Sequence, residues 1–110
     1  MEKHADIITL GELLIDLTQK GSDENGNGEF TAYPGGAPAN VAVAAARLGA
    51  GAAFIGKVGD DAFGRSLADT LKKENVDTSG LYASKEVPTT RAIVSVDASG
   101  ERDFSFYRDP

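Results

Sequence analysis

The sequence contains no cysteine, and its only histidine is His4. Without cysteine the chain can form no disulfide, no thiolate zinc site, no iron–sulfur cluster and no thiol nucleophile. A single histidine close to the amino terminus also argues against a Ser-His-Asp triad or a metal site built from two histidines. Common hydrolase and metal-binding designs are therefore disfavoured.

The sequence also lacks long apolar runs and an excess of positive charge. Its longest uninterrupted apolar stretch is 41–46, whereas a helix that crosses a bilayer needs roughly 20 apolar residues. Residues 1–10 include several charged side chains and do not resemble a signal peptide, so we expect a cytoplasmic protein. With 11 Lys and Arg against 17 Asp and Glu the net charge is −6. That charge disfavours nucleic-acid partners and anionic membranes.

The spacing of apolar residues predicts an alternation of strands and helices in the first two thirds of the chain. Apolar runs at 6–10 and 52–58 predict buried strands. The Ala-rich segment 37–48 and the segment 62–74 predict helices. The order strand, helix, strand, helix is typical of a parallel sheet.

The second predicted helix carries signals at its start and along one face. Asp60 or Asp61 can cap its amino terminus, because the unpaired amides and the helix dipole there favour an anion. Its apolar residues recur every four positions and predict the buried stripe: Phe63, Leu67 and Leu71.

Two segments interrupt this alternation and predict β-hairpins, because no helix separates their strands. The first hairpin joins strands at 13–18 and 29–33 through a polar turn at 21–28. The second joins strands at 90–97 and 102–108. We expect the two hairpins to form a β-layer appended to the parallel α/β unit.

Two short motifs match phosphate- or metal-binding signatures but fit structural roles better. Residues 51–57 match G-x-x-x-x-G-K, yet apolar residues fill the middle and Val58 replaces the Ser or Thr that would hold magnesium. Residues 23–28 match the first half of a calcium loop, yet Pro34 occupies the position of the bidentate Glu. We predict a buried strand at the first motif and a hairpin turn at the second. The absence of G-x-G-x-x-G weakens a dinucleotide-binding interpretation.

The segment from Gly35 to Asn40 is a candidate ligand-binding site at the entrance of a predicted helix. Gly35 and Gly36 would let a ligand approach the backbone, and the first amides of the helix point toward it. Asn40 offers a hydrogen-bond donor and an acceptor one turn into the helix. A plain turn followed by a helix cap explains the same residues equally well.

Asp16 and Arg108 are two further candidates. Asp16 is a carboxylate among aliphatic neighbours, and a buried carboxylate needs hydrogen-bond partners that a polyhydroxylated ligand could supply. Arg108 shares a strand face with Phe104 and Phe106, and an arginine at the end of an aromatic face can frame a polar ligand. The alternatives are an outward-facing edge-strand carboxylate and a solvated edge charge. For Arg108 alone the residues favour the solvated charge.

Four segments, in this order, resemble the amino-terminal part of the ribokinase-like sugar kinases, the phosphofructokinase-B family. Residues 11–16 (GELLID) look like the family's first strand, and 35–49 (GGAPANVAVAAARLG) are similar to its amino-terminal signature. Residues 54–64 (FIGKVGDDAFG) resemble the segment that follows in that signature. Residues 100–110 (GERDFSFYRDP) resemble the corresponding stretch of bacterial and plant fructokinases. The resemblance covers essentially the whole chain.

The resemblance implies an α/β, ribokinase-like fold, with a mostly parallel sheet, flanking helices and a small β-sheet lid. Residues 1–110 would be the amino-terminal portion of a single kinase domain. The lid hairpins would lie at about 12–34 and 89–108. The resemblance also implies a homodimer formed through the lid.

The resemblance further implies transfer of the ATP γ-phosphoryl group to a sugar hydroxyl with Mg²⁺, and it admits a monovalent cation. The last segment favours fructose as the sugar. In relatives that act on 2-keto-3-deoxygluconate, the residue matching Arg108 meets a carboxylate and the one matching Phe106 is tyrosine, so Phe106 favours a neutral sugar. The implied sugar-binding residues are Asp16, Gly35, Gly36, Asn40, Phe106 and Arg108.

The chain departs from the family in its length and in a motif that it lacks. The family's catalytic base is an Asp in a Gly-Ala-Gly-Asp-type motif of the carboxyl-terminal half, and this sequence has no such motif. We therefore expect no catalytic residue and no metal ligand here, and we expect the other half to hold most of the ATP and Mg²⁺. The 110-residue chain alone is predicted to be inactive. Two other hypotheses are a non-catalytic sugar-binding or lid-dimerisation module derived from such a kinase, and an unrelated nucleotide-binding α/β domain.

Overall fold

A computed structural model describes residues 5–96 and 99–108, so that the only histidine, His4, lies outside the described residues. In chain order the elements are β1 (Ile7–Leu10), β2 (Leu14–Ser22), β3 (Gly28–Gly35), α1 (Ala37–Arg47), β4 (Ala52–Gly59), α2 (Ala62–Lys73), β5 (Val76–Ser84), β6 (Arg91–Val96) and β7 (Arg102–Tyr107). Among the described residues, neither helix is long and apolar enough to cross a membrane.

Strands β1, β4 and β5 form a parallel sheet in the order β1-β4-β5, which we call sheet A. Both helices pack on this sheet, so the predicted alternation of strands and helices around parallel strands is confirmed. The core lies between the helices and the sheet, where Phe54, Leu67 and Leu71 are at most 2% exposed. Burial of each such side chain stabilises the fold by roughly 1.5–3 kcal/mol.

The two edge strands of sheet A differ from what the sequence predicts. The strand predicted at 6–10 is present as β1, but in the 110-residue chain it lies at the sheet edge and is not buried, with Ile8 61% and Leu10 71% exposed. β5 has no counterpart in the sequence prediction. Polar residues and Gly80 interrupt its few apolar positions, which leaves neither an alternating pattern nor an apolar run.

The other four strands form a second sheet, sheet B, in the order β3-β2-β6-β7. β2 pairs antiparallel with β3, and β6 pairs antiparallel with β7. The two hairpins are joined because β2 and β6 pair in parallel. This pairing is possible because the chain passes through most of sheet A between the two hairpins. It places four residues in one row across sheet B, namely Tyr33, Asp16, Ala92 and Phe106.

The beginning of β2 attaches sheet B to the core of the α/β unit. Leu13 and Ile15 are each 2% exposed and belong to the same buried cluster as Phe54 and Leu67. By contrast, residues 24–34, which form the turn of the first hairpin and most of β3, are exposed. Sheet B is therefore fixed at one end of β2 and projects from the core at the other.

Asp61 is the predicted cap that the structure uses, and it also binds the segment that enters β6. Its Oδ1 accepts hydrogen bonds from Gly64 N at 2.8 Å and Thr89 Oγ1 at 2.7 Å, and its Oδ2 accepts one from Thr89 N at 2.9 Å. Thr89 is 1% exposed, and its hydroxyl oxygen accepts a hydrogen bond from Gly59 N at 2.9 Å. One carboxylate therefore connects the end of β4, the start of α2 and the second hairpin.

Candidate functional site

Asp16 lies in the interior of sheet B, between Tyr33 of β3 and Ala92 of β6. Ala92 is paired in turn with Phe106 of β7. Directly paired residues project from the same face of a sheet, so the carboxylate and both aromatic rings share one surface. Ala92 is 1% exposed, whereas the two rings are about half exposed, so a small side chain forms the floor between Asp16 and Phe106. The alternative of an edge-strand carboxylate is wrong, because β2 has a partner strand on each side.

Gly35 and Gly36 bring backbone next to this carboxylate without side chains of their own. A Cβ built on Gly35 would lie 2.5 Å from Asp16 Oδ2 and 3.1 Å from Leu14 Cδ1. Gly36 has φ +109°, and a Cβ there would collide with the carbonyl oxygen of Glu12. Gly36 is therefore sterically required, whereas a side chain at Gly35 would require the Asp16 carboxylate to shift. Gly36 is also the N-cap of α1, so the predicted turn with a helix cap and the close approach to a carboxylate occur together.

Arg108, which follows β7, is held by an ion pair. Its Nε lies 2.8 Å from Glu12 Oε2, and its Nη2 donates to Glu12 Oε1 at 2.9 Å. The guanidinium carbon also lies 4.5 Å from the centre of the Phe106 ring. The Arg108 side chain is 52% exposed at the end of the edge strand β7, so the solvated edge charge that the sequence favours agrees with this exposed ion pair.

Glu12 is the site residue for which sequence reasoning gave no role. It lies 96 positions before Arg108, and no short-range pattern connects residues at that distance. Its backbone carbonyl is the group that requires Gly36 to lack a side chain, and its carboxylate holds Arg108. Glu12 therefore links the helix entrance to the end of β7.

Among the described hydrogen bonds, Asn40 contacts the other predicted site residues through its backbone alone. It lies in the first turn of α1, where its backbone N–H donates to Gly36 O at 3.0 Å. Its exposed side chain lines a cavity of about 320 Å³, together with Pro34, Val43, Ala44, Arg47, Thr70 and Glu74. The other five residues form a connected group through Glu12 and the row across sheet B.

The two short motifs at 51–57 and 23–28 form the strand and the hairpin turn that the sequence predicts. Gly56 and Lys57 lie inside β4, where they pair with Leu81 and Tyr82 of β5, so residues 51–57 form no phosphate loop. In the turn between β2 and β3, the Asp23 carboxylate accepts hydrogen bonds from the backbone of residues 25 and 27. Among the described residues, no group of three or more His, Cys, Asp or Glu could hold a metal ion.

Comparison with known proteins gives consistent matches along the chain. The sequence model of the family described as "pfkB family carbohydrate kinase" matches residues 4–110. A fructokinase-1 from Oryza sativa subsp. japonica is 49% identical over 106 residues, which are 94% of this chain and 33% of the relative. The crystal structure of a fructokinase from Xylella fastidiosa superposes with a TM-score of 0.88 at 44% identity, covering 94% of this chain and 32% of that one. A structure of fructokinase with bound ATP from the same organism gives a TM-score of 0.87 at 39% identity, covering 96% of this chain and 34% of that one.

These matches settle the fold class and the extent of the similarity. The expected α/β, ribokinase-like fold is confirmed, with the parallel sheet A and the small, separate sheet B. The chain spans about a third of the length of the curated relatives it matches. The similarity therefore concerns the amino-terminal third of those longer proteins.

Proposed function

The chain belongs to the pfkB family of carbohydrate kinases, and we propose that it forms much of the sugar site of a longer, cytoplasmic kinase. In this proposal the full-length kinase transfers the γ-phosphoryl group of ATP to a hydroxyl of a neutral sugar, with fructose as the preferred substrate. The identity of 44–49% to fructokinases over nearly the whole chain supports fructose.

One observation carries the proposal: the Asp16 carboxylate lies beside a backbone without side chains and on the same surface as an aromatic ring. An ionised carboxylate only accepts hydrogen bonds, and it can accept several, so it suits adjacent hydroxyl groups of a sugar. The glycines leave room for the sugar ring to approach the backbone. The Phe106 ring offers an apolar surface to the C–H groups of the sugar.

The residues of this chain would act by positioning the sugar. Two hydrogen bonds from sugar hydroxyls to Asp16 would fix the orientation of the ring, and Phe106 with Arg108 would cover it from sheet B. Positioning is a large part of phosphoryl-transfer catalysis, because the attacking oxygen must lie in line with the phosphoryl group. We assign Asp16, Gly35, Gly36, Phe106 and Arg108 to this role directly. We assign Asn40 to it only through its place at the helix entrance.

The described residues contain neither a phosphate loop nor a cluster of three metal-binding side chains. Lys57 lies within a paired strand, and no cluster of acidic or histidine side chains could hold a metal among these residues. We therefore assign ATP and Mg²⁺ to the rest of the full-length kinase, and no step of the transfer itself is assigned here. When bound, they supply the phosphoryl group and neutralise its charge. The similarity to a fructokinase solved with bound ATP supports ATP as the donor.

The test is steady-state kinetics of the full-length kinase, with ADP release measured while the sugar and ATP are varied in turn. We expect phosphorylation of fructose. We expect Asp16→Ala to raise KM for fructose and lower kcat, with little change in KM for ATP. Each hydrogen bond to a charged group is worth roughly 10- to 150-fold.

Asp103→Ala is the matched control, because it also removes a carboxylate from sheet B but from the opposite face of β7. We expect it to leave both KM values and kcat unchanged. If KM for fructose and kcat of Asp16→Ala both stay within about twofold of the parent values, Asp16 has no sugar-binding role. If the parent phosphorylates no sugar, the kinase proposal is wrong.

A second candidate function is a non-catalytic sugar-binding or lid-dimerisation module. The exposure of aromatic side chains on sheet B favours it, since Phe104 and Phe106 share one face of β7 and are each about half exposed. Such surfaces are typical of protein interfaces. The module would bind fructose, or form a homodimer through sheet B, without releasing ADP in the same assay.

A further inference from the structure

The turn between β2 and β3 contains residues 25–28 (NGNG), in which each asparagine precedes a glycine. Asparagine is a chemically labile side chain, because its amide carbon can be attacked by the backbone nitrogen of the next residue. A glycine at that next position has no side chain to block the approach. Asn40 and Asn75, the other two asparagines of the sequence, each precede a valine, whose branched side chain shields the backbone nitrogen.

The Asp23 carboxylate holds the side chain of Asn27 but not that of Asn25. Its Oδ2 accepts a hydrogen bond from Asn27 Nδ2 at 3.2 Å, and its Oδ1 accepts one from Asn27 N at 2.9 Å. Asn25 donates to the same carboxylate only through its backbone N–H, at 2.9 Å, and no described hydrogen bond involves its side chain. The Asn27 amide must therefore leave a charged acceptor before it can react, whereas the Asn25 amide is free to rotate.

The backbone nitrogen that would attack Asn25 is held only by a neutral hydrogen bond of the turn. Gly26 N donates to Asp23 O at 3.0 Å. Residues 24–27 are exposed, and a Cβ built on Gly26 would meet nothing within 4 Å beyond its chain neighbours. A bond between neutral groups slows opening by about two- to tenfold, whereas a bond to a charged group slows it by roughly 10- to 150-fold. The turn therefore protects Asn27 more than Asn25.

We infer that Asn25 is a site of spontaneous deamidation and that Asp23 protects Asn27 from the same reaction. Gly26 N bonds to Cγ of Asn25, the bond from Cγ to Nδ2 breaks, and Nδ2 leaves as ammonia with the proton of Gly26 N. Water then opens the cyclic imide, completing a carboxyl group on one carbonyl carbon and restoring the N–H. Opening at Cγ yields aspartate, and opening at the main-chain carbonyl carbon yields isoaspartate. The reaction consumes water, releases ammonia and involves no oxidation or reduction.

Either product changes the charge of the turn, and isoaspartate also changes its backbone. A carboxylate at position 25 would stand close to Asp23 and Glu24, in a chain whose net charge is already −6. Isoaspartate routes the backbone through Cγ and so adds a methylene group to the turn, whose geometry helps to fix the pairing register of a hairpin. Deamidation therefore acts on the end of sheet B that projects from the core.

The experiment follows all four asparagines of the full-length kinase by mass spectrometry of proteolytic peptides during incubation at mildly alkaline pH. The buffer is made with heavy-oxygen water, so that deamidation during the incubation is distinguished from any that preceded it. We expect Asn25 to convert roughly tenfold faster than Asn27, while Asn40 and Asn75 stay unchanged. In a synthetic peptide of residues 20–31 the rates at the two Asn-Gly pairs should become similar, because the hydrogen bonds of the folded turn are absent.

Asp23→Ala tests the protecting role of the carboxylate. It should raise the rate at Asn27 roughly tenfold, because both hydrogen bonds from Asn27 to the carboxylate are lost. Glu24→Ala is the matched control, since it removes the neighbouring carboxylate of the same turn, which accepts no described hydrogen bond from residues 25–27. It should leave the rate at Asn27 unchanged. Asn25→Gln should abolish the fast conversion, because its longer side chain forms the cyclic imide far more slowly.

The inference is overturned if Asn27 converts as fast as Asn25 in the parent, or if Asn25 gains no more label than Asn40 and Asn75. It is also overturned if Asp23→Ala accelerates Asn27 no more than Glu24→Ala does. An equal ratio of the two rates in the peptide and in the folded protein would show that the sequence alone sets the difference, and would refute the protecting role as well. These readouts do not depend on kinase activity, so their failure would leave the proposed function untouched.

Discussion

Replacing Asp61 by alanine should destabilise this fold more than any other loss of a partly exposed carboxylate in it. Asp61 caps α2 through Gly64 N, and it accepts two further hydrogen bonds from the amide and the hydroxyl of Thr89. Thr89 is 1% exposed, so water cannot replace the lost acceptor without structural change. The variant therefore removes a helix cap and leaves two buried donors without a partner.

The size of the effect follows from these contacts. Loss of an N-cap costs about 0.5–2 kcal/mol, and each buried polar group left without a partner costs about 1–3 kcal/mol. Bonds that share one carboxylate are not additive, so we expect the free energy of unfolding to fall by about 3–4 kcal/mol. That is a large part of the roughly 5–15 kcal/mol that stabilises a domain.

The assay is urea denaturation of the full-length kinase, and Asp60→Ala is the matched control. Asp60 is the adjacent carboxylate, but its side chain forms only an exposed contact with Arg65 at 3.3 Å, and such pairs are worth less than about 1 kcal/mol. If the free energies of unfolding of Asp61→Ala and Asp60→Ala differ by less than about 1 kcal/mol, the hydrogen bonds of Asp61 do not hold α2 to the second hairpin.

The same carboxylate makes a prediction about pH. Burial raises the pKa of Asp61, but the hydrogen bonds from Thr89 and Gly64 outweigh it, so the pKa lies below its usual value in the folded protein. A lowered folded pKa stabilises the protein above the unfolded pKa of about 3.9, and the effect is lost as the pH falls through the folded value. The difference in free energy of unfolding between the parent and Asp61→Asn should therefore be constant from about pH 7 to 5 and shrink toward about pH 3. A difference that grows at low pH would contradict this sign.

Three further predictions concern the isolated chain and the glycine backbone of the site. The 110-residue chain alone should show no sugar-dependent ADP release in a coupled assay, because its sequence lacks the Gly-Ala-Gly-Asp-type motif of the catalytic base and residues 51–57 form no phosphate loop. Turnover above that of a mock purification would contradict this. The isolated chain should also unfold without a sharp cooperative transition and bind a hydrophobic dye, because Ile8 and Leu10 of the edge strand β1 are 61% and 71% exposed. A sharp calorimetric melt of monomeric chain would oppose that prediction. Gly35→Ala in the full-length kinase should raise KM for fructose with little change in KM for ATP, because the new Cβ would lie 2.5 Å from Asp16 Oδ2. Unchanged KM values would show that the carboxylate can move aside without effect.

Elements with strong apolar periodicity could be predicted from the sequence, and those without it could not. The segments of α2 and β4 both have the predicted secondary structure. Leu67 and Leu71 of the α2 stripe are buried, and Phe63 is partly buried against the core. In β4, Phe54 and Val58 are buried, whereas Ile55 is 41% exposed. β5 is a polar edge strand, so its formation depends on hydrogen bonds from β4 and not on its own pattern. The exposure of β1 at the sheet edge could not be predicted either, because an apolar run does not show whether a strand has a partner on both sides.

The residues of the candidate site could be proposed one by one from the sequence, but their arrangement could not. Local chemistry made Asp16 and the two glycines candidates, because a carboxylate among aliphatic residues and paired glycines at a helix entrance are unusual, and their role in sugar binding stays a prediction. The pairing of Glu12 with Arg108 depends on contacts between segments 96 residues apart. The sequence shows each charge, but only the fold brings the two together.

The register of β6 connects the stability of the fold to the geometry of the site. Ala92 fits between Asp16 and Phe106 only in the observed alignment, and a shift by one residue would turn the β6 side chains to the opposite face. That alignment begins at Arg91, shortly after Thr89, whose amide and hydroxyl both donate hydrogen bonds to Asp61. Asp61 lies outside the site, yet it binds Thr89 in the segment that leads into β6. Its substitution should therefore affect sugar binding as well as stability, and the same variant can show both effects.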